Sequence, residues 1–506
     1  MLYFLTSYCD FFKKRQKSHI FQHKKQQFPI FAVNIYRIAI FTVNYMKHPF
    51  YIFILFVCSL SFASAKETIL SGVAESYAGK MLTLRTQTDQ IVKNERILSE
   101  VTVDSAGFFS FAVDIVSPIQ VFIPMDLYNG FIYLEPGKTY QVILPEYIEK
   151  SLPQKLDPYF EPTDYLLEIE GLRQGDLNFQ LIEFEEAFDF YTMKHLIYGS
   201  DPDSIQASVQ EMREIFSDLD AKFQSRFKEY RFLLLKNLVP EVTRENIIEQ
   251  LDRLGADAEN PAFWDVFDNV FSDFIPKSKD NREEYLLFQQ IVKEGSAAML
   301  FAHLKNRYGI TDASLKELTA IKLIADLINA EDFNHSNVVE LLRKLGREIQ
   351  TEQNRELLAS IIAKATSNSI GSPAPDFTGT DPKGKQHALS DYKGTYVYLN
   401  FGNTQVDQTQ KDLNVLSRFY DTYKKDLVII NLFLYDTPEQ VARIAAPYKN
   451  KMIFLHVDDP DLLRKAYQVQ NIPSFFVLDP DGNFLMTKGA EPNDELRIFM
   501  QHIMPK

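Results

Sequence analysis

Apolar residues follow three spacings along this chain. From about Glu67 to Leu152 they alternate with polar residues in short runs: Met81–Leu84, Phe108–Phe111, Phe131–Leu134 and Tyr140–Leu144. Turn signals separate the runs at Ala78-Gly79, Asp104–Gly107 and Glu135-Pro136-Gly137. A period of two with such punctuation predicts an all-β module. From Pro153 to about Ser369 the period lengthens. Ser204–Glu229, Arg282–Tyr308, Ser314–Ile328 and Asn337–Ile349 carry apolar residues at i, i+3, i+4 and i+7, with Val338, Leu341, Leu342 and Leu345 as one stripe. That spacing predicts a mainly helical module, broken at Gly199–Asp203, Ala256–Pro261, Pro276–Asp280 and Gly309–Asp312. The run Phe179–Tyr191 and the lone Trp264, with Phe263, Phe267 and Phe271, read as helical core rather than as a ligand groove.

Beyond the linker Ile370–Pro375 the two periods interleave. The pattern predicts a strand at Tyr396–Phe401, a helix from about Val406 to Tyr423, a strand at Leu427–Leu434 and a helix at Pro438–Tyr448. A strand at Met452–His456, a short helix at Asp461–Tyr467, a hairpin of Ser474–Leu478 and Phe484–Thr487, and a last helix at Asp494–Ile503 follow. The Tyr396–Phe401 run has no polar alternation, as expected of a strand covered on both faces. Asn403 and Thr404 are candidates to cap the helix after it. The fold class is therefore multidomain: a small β-sandwich at 66–152, an all-α domain at 153–369 and an α/β domain at 370–506.

The first 65 residues have a different character. Residues 1–45 are aromatic, basic and unpatterned, and read as an upstream extension. At 46–65 a short basic start, the apolar run Phe50–Phe62 and Ala63-Ser64-Ala65 read as a signal peptide cleaved after Ala65, which predicts export to the periplasm or cell envelope. The alternative is an uncleaved anchor through residues 38–62, the one route to a membrane.

Composition narrows the chemistry. The 506 residues include two cysteines, Cys9 and Cys58, both before the expected mature start. A mature chain would hold no thiolate, disulfide or cysteine-bound metal. Residues after 65 carry 46 basic and 67 acidic side chains, a formal charge of −21. A field of that sign argues against nucleic acid as a partner.

One stretch points to a family. GSPAPDF at Gly371–Phe377, HALSDYKG at His387–Gly394, YVYLNFGNTQVDQTQKDL at Tyr396–Leu413 and NIPSFFVLDPDGNFL at Asn471–Leu485 together resemble the thioredoxin-like domains of bacterial envelope thiol–disulfide oxidoreductases (TlpA-like) and the related alkyl hydroperoxide reductase group. The resemblance covers the last quarter of the chain and implies a thioredoxin-like fold for it. It also implies that Gly402 and Gln405 fall where the family has tryptophans, that Val406 and Thr409 fall on the two redox cysteines, and that Pro473 falls on the cis-proline facing the active site. The β-module resembles the small β-sandwich that precedes such domains in many envelope proteins. A strand running into a helix N-terminus stabilises a thiolate. Neither Val406 nor Thr409 can supply one, so no catalytic residue is assigned. The expected activity is binding or scaffolding, with Gln405, Val406, Thr409, Ile472 and Pro473 as the candidate site for an extended peptide or an envelope protein. The alternative is family-type thiol–disulfide exchange or peroxide reduction.

Other motifs fall away. Pro136–Thr139 resembles the end of a phosphate loop, but a strand follows it and Ile132 stands where the first glycine belongs. Asp479–Asn483 opens like a calcium loop without the distal Glu and reads as a hairpin turn. His195, His303, His335, His387, His456 and His502 are scattered, so neither a metal nor a cofactor is expected.

Overall fold

The computed structural model describes residues 66–275, 280–448, 451–487 and 490–503. The expected extension, signal peptide and anchor, and most of the Pro276–Asp280 break, lie outside them. Among the described residues no helix is long and apolar enough to cross a membrane.

The alternating stretch forms two sheets over one apolar core. One has the order β4 (Phe108–Ile115), β1 (Lys66–Val73), β7 (Thr139–Ile143), β9 (Glu168–Ile169). The other runs β3 (Glu95–Thr102), β2 (Met81–Gln87), β5 (Ile119–Met125), β6 (Tyr128–Leu134), β8 (Thr163–Leu166). Phe111, Leu70 and Val142 of the first sheet and Leu84, Val121 and Ile132 of the second are buried together. The sheets therefore reach past residue 152, because β8 pairs in parallel with β6 and β9 antiparallel with β7. Contact across the chain decides this, not local pattern: Leu167 is buried against Gly130, where any Cβ would collide with it.

Helices α1 (Leu152–Leu156) to α11 (Glu352–Thr366) make up the middle. Two of the expected long helices are each a pair. Ser204–Glu229 divides into α3 (Pro202–Ile215) and α4 (Lys222–Lys236), after α2 (Leu177–Tyr198). Ser217, Asp218 and Asp220 hold short polar groups that compete for backbone hydrogen bonds at the break. Arg282–Tyr308 divides into α7 (Arg282–Glu294) and α8 (Ala297–Tyr308) at Gly295, whose φ of 59° ends a helix in the left-handed region. The stripe Val338, Leu341, Leu342, Leu345 is fully buried on α10 (His335–Leu345). Trp264 lies on α6 (Pro261–Phe271), 4% exposed, with its indole N–H donated to the Ala258 carbonyl at 2.9 Å.

The last part is a seven-stranded sheet, ordered β11 (Gln386–Ala388), β10 (Thr378–Thr380), β14 (Ile453–His456), β13 (Leu427–Phe433), β12 (Tyr396–Gly402), β15 (Ser474–Leu478), β16 (Phe484–Met486). β12, β13 and β14 are parallel, and β15 returns antiparallel to β12. Helices α12 (Asp407–Tyr423), α13 (Pro438–Ala445), α14 (Pro460–Tyr467) and α15 (Asp494–Ile503) join and cover it. The apolar character of β12 and β13, interrupted at Asn400 and Asn431, is explained by a core on each face. Tyr398, Ile429 and Phe433 belong to one core, and Val397, Leu399, Phe401, Ile430 and Leu432 to the other.

Candidate functional site

The ladder between β12 and β15 ends at the pair Phe401–Ser474. The residues just beyond it, Gly402 and Pro473, therefore lie at one end of the sheet, where the loop into α12 begins. The Ile472–Pro473 peptide bond is cis. Gly402 admits no side chain: a Cβ there would stand 2.8 Å from Cγ2 of Thr409. Thr409 is fully buried beneath the strand end, its Oγ1 3.4 Å from the Asn403 amide nitrogen.

The loop is fastened to the next strand. Asn403, with no exposed surface, donates its amide to the Leu434 carbonyl at 2.7 Å and accepts from the Gln405 N–H at 2.9 Å. The Thr404 hydroxyl and N–H both donate to the Asp436 carboxylate, the N–H at 2.9 Å. Burial of Asp436 raises its pKa, and the two bonds from Thr404 oppose that rise. Asn403 and Thr404 thus brace the loop and do not cap α12, contrary to expectation. The N-cap is Val406, without a side-chain bond to the helix.

The central strands and α12 also hold buried polar side chains that sequence reasoning missed. Asn400 and Asn431 face each other between the central strands, Asn400 Nδ2 donating to Asn431 Oδ1 at 2.8 Å, while Asn400 Oδ1 has no partner. One turn into α12, Asp412 is 6% exposed and accepts from Gln408 at 2.8 Å through Oδ1, but Oδ2 has no partner. Burial raises its pKa, with Glu491 adding to the rise. A charged residue on the inner side of an amphipathic helix is the one sequence sign that could have exposed it.

The candidate binding residues divide among three surroundings. Gln405 is exposed and lines a cavity of about 340 Å3 with Tyr435, Asp436, His456 and, from α1, Lys155. Pro473 lines a cleft of about 1290 Å3 whose other wall includes Phe333 and His335 of the helical part, Lys364 of α11 and Ile91 of the β-module. Thr409 faces neither and offers no hydrogen bond to a ligand, which corrects its expected role. Val406 and Ile472 are half-buried, Ile472 against the β12–β14 core. His456 ends β14 with Nε2 3.4 Å from Asp458, while its buried Nδ1 has no partner. Among the described residues no group of three His, Cys, Asp or Glu side chains converges as a metal site would need.

A central parallel β12–β13–β14 block, the antiparallel return of β15 and a cis-proline beside the β12–α12 junction define a thioredoxin-like domain. Residues 370–484 match the AhpC/TSA family. A thiol–disulfide oxidoreductase ResA of Bacillus cereus (strain ATCC 10987 / NRS 248) is 30% identical over 151 residues, 29% of this chain and 87% of that protein. The protein of that name from Geobacillus kaustophilus is 28% identical over 150 residues, 29% of this chain and 86% of its own. A crystallised thioredoxin-like protein from Bacteroides caccae covers 52% of this chain and 95% of its own, at 15% identity and a TM-score of 0.32. The chain belongs, through its C-terminal region, to the thioredoxin-like AhpC/TSA family that includes these thiol–disulfide oxidoreductases.

Proposed function

We propose that this is an exported, envelope-resident protein whose thioredoxin-like domain has exchanged redox catalysis for the binding of extended polypeptide. One observation carries the reading: no cysteine occurs after Cys58, and the start of α12 holds Val406 and Thr409. Thiol–disulfide exchange proceeds only through a thiolate. The Thr409 hydroxyl is buried and has no base beside it, so it is no substitute nucleophile. What remains at this end of the sheet is a cleft containing Pro473, Phe475 and Phe476, into which a strand-like segment could be laid. The helical wall opposite would make the bound segment contact both parts of the chain.

The test has two arms. The chain from Lys66 onward, given disulfide-bonded insulin or peroxide with dithiothreitol as the reductant, should react no faster than buffer; a rate above buffer overturns the loss of catalysis. For binding, an unfolded, cysteine-free polypeptide is titrated against wild type, Pro473→Ala and Val406→Asp. Val406→Asp places a carboxylate at an uncapped helix start and should stabilise the domain by about 1 kcal/mol. Weaker binding by that variant therefore cannot come from unfolding. Equal affinity in all three proteins would remove the groove from the account. Localisation is checked separately, by fractionating cells and sequencing the N-terminus of the envelope form, expected at Lys66.

A further inference from the structure

A third cavity, of about 400 Å3, lies far along the chain from the thioredoxin-like domain, between the outer face of the β2–β5–β6 sheet and the start of α6. Its floor is unusual for a sheet surface. Phe122 and Phe131 are direct cross-strand partners and both are half-exposed, although outward positions of such a sheet are ordinarily polar. The edge of Trp264 closes one side.

The polar groups around these rings fall into two sets. Those with charge are already matched. Lys93 pairs with Glu161 at 3.0 Å and Glu95 with Arg85 at 2.8 Å, while Asp164 accepts from Asn129 at 3.0 Å and Glu259 from Ser117 at 2.9 Å. The carboxamides are only half used. Gln87 donates to the Asp89 carbonyl at 3.0 Å and to Gln90 Oε1 at 3.1 Å, and Gln120 donates to the Tyr133 hydroxyl at 3.3 Å. The side-chain oxygens of Gln87, Gln120 and Asn129 and the amide nitrogen of Gln90 are left without a partner among the described residues.

We infer that this cavity is a binding site for a neutral saccharide. Half-exposed aromatic rings match the C–H faces of a sugar ring, and uncommitted amide oxygens match its hydroxyl donors. The two ion pairs cancel, while the Asp164 and Glu259 carboxylates, held by the neutral donors Asn129 and Ser117, leave negative charge that disfavours an anionic ligand. The volume falls within the range of small-molecule sites and suits a short saccharide, whether free or at the end of a longer glycan. The site is independent of the reading of the thioredoxin-like domain and stands or falls apart from it.

Trp264 is the protein's sole tryptophan, so its fluorescence reports on this cavity alone. The chain from Lys66 onward is titrated with the neutral disaccharides of glucose, mannose, galactose and N-acetylglucosamine, then with their hexasaccharides and with glucuronic acid; calorimetry provides a signal independent of the tryptophan. A saturable change with at least one neutral sugar is the expected result. Binding of the short form alone identifies a free sugar, and equal or tighter binding of the long form identifies a glycan end. Gln90→Ala at the exposed rim and Phe131→Ala on the floor should each weaken binding by up to about tenfold while leaving the unfolding midpoint of the thioredoxin-like domain in place. Silence across the neutral panel, binding of glucuronic acid alone, or unchanged affinity in both variants overturns the assignment.

Discussion

The loop leaving β12 and the loop entering β15 meet at one end of the same sheet, yet they are built in opposite ways. Asn403 and Thr404 turn inward and spend their polar groups on Leu434, Gln405 and Asp436, and Thr409 packs beneath them. At Pro473 and Ser474 the chain instead opens into a cleft shared with the helical part. In a redox thioredoxin-like domain the first loop would present the reactive sulfur. Here that loop is a brace, and the space for a ligand lies on the other side. The contrast teaches that one end of a sheet can carry a loop fastened by its own polar groups beside a loop that opens onto a cleft.

The largest test of that contrast is to restore what is missing. Val406→Cys combined with Thr409→Cys puts two thiols at i and i+3 on a helix start, where the dipole favours a thiolate. Insulin reduction should rise from buffer level to a measurable rate. A folded double variant with no titratable low-pKa thiol would show that the junction no longer has the geometry of its relatives.

Next comes the brace itself. Asn403→Ala removes a donor to the Leu434 carbonyl and an acceptor for the Gln405 N–H, both in a buried setting. It should cost about 2 kcal/mol, read as a lower urea midpoint with an unchanged slope. If stability is unaltered, the loop is not held as described.

The smallest effect is electrostatic and has a definite sign. The folded pKa of Asp412 is raised, first by burial and then by Glu491. Its contribution to stability is therefore full below the ordinary aspartate range and is lost as pH rises through the elevated folded value. Asp412→Asn, which cannot ionise, should match wild type in acid and become modestly more stable towards neutral pH. Parallel stability curves for the two proteins would mean that the unpartnered Oδ2 is solvated after all.

Much of this was legible beforehand, for reasons that are themselves physical. A strand with a core on each face is mostly apolar without alternation, so Tyr396–Phe401 announced itself, and so did the helix–strand order after it. The stripe on α10 was equally plain, because helical burial selects every third and fourth residue. The absence of cysteine after Cys58 was visible too, since the sequence alone determines where a cysteine can lie.

The rest depended on contacts between residues distant in the chain. β8 and β9 have no pattern of their own and exist because β6 and β7 offer unpaired edges. Asn403 looked like a cap because its side chain can bond a nearby backbone; its use on Leu434 was decided by where β13 ends. Thr409 was a candidate because it falls on the family's second cysteine position and has a hydroxyl to offer; in the fold it is buried against Gly402. Gln405 and Pro473 seemed to share one groove, and their separation into two cavities reflects which neighbouring element closes each one. The sequence by itself determined the periods, the covered strands and the absence of cysteine after Cys58. The tertiary structure alone decided which polar groups are spent on the fold and which remain for a ligand, because a hydrogen bond is assigned by proximity in space, and that proximity does not exist until the chain has folded.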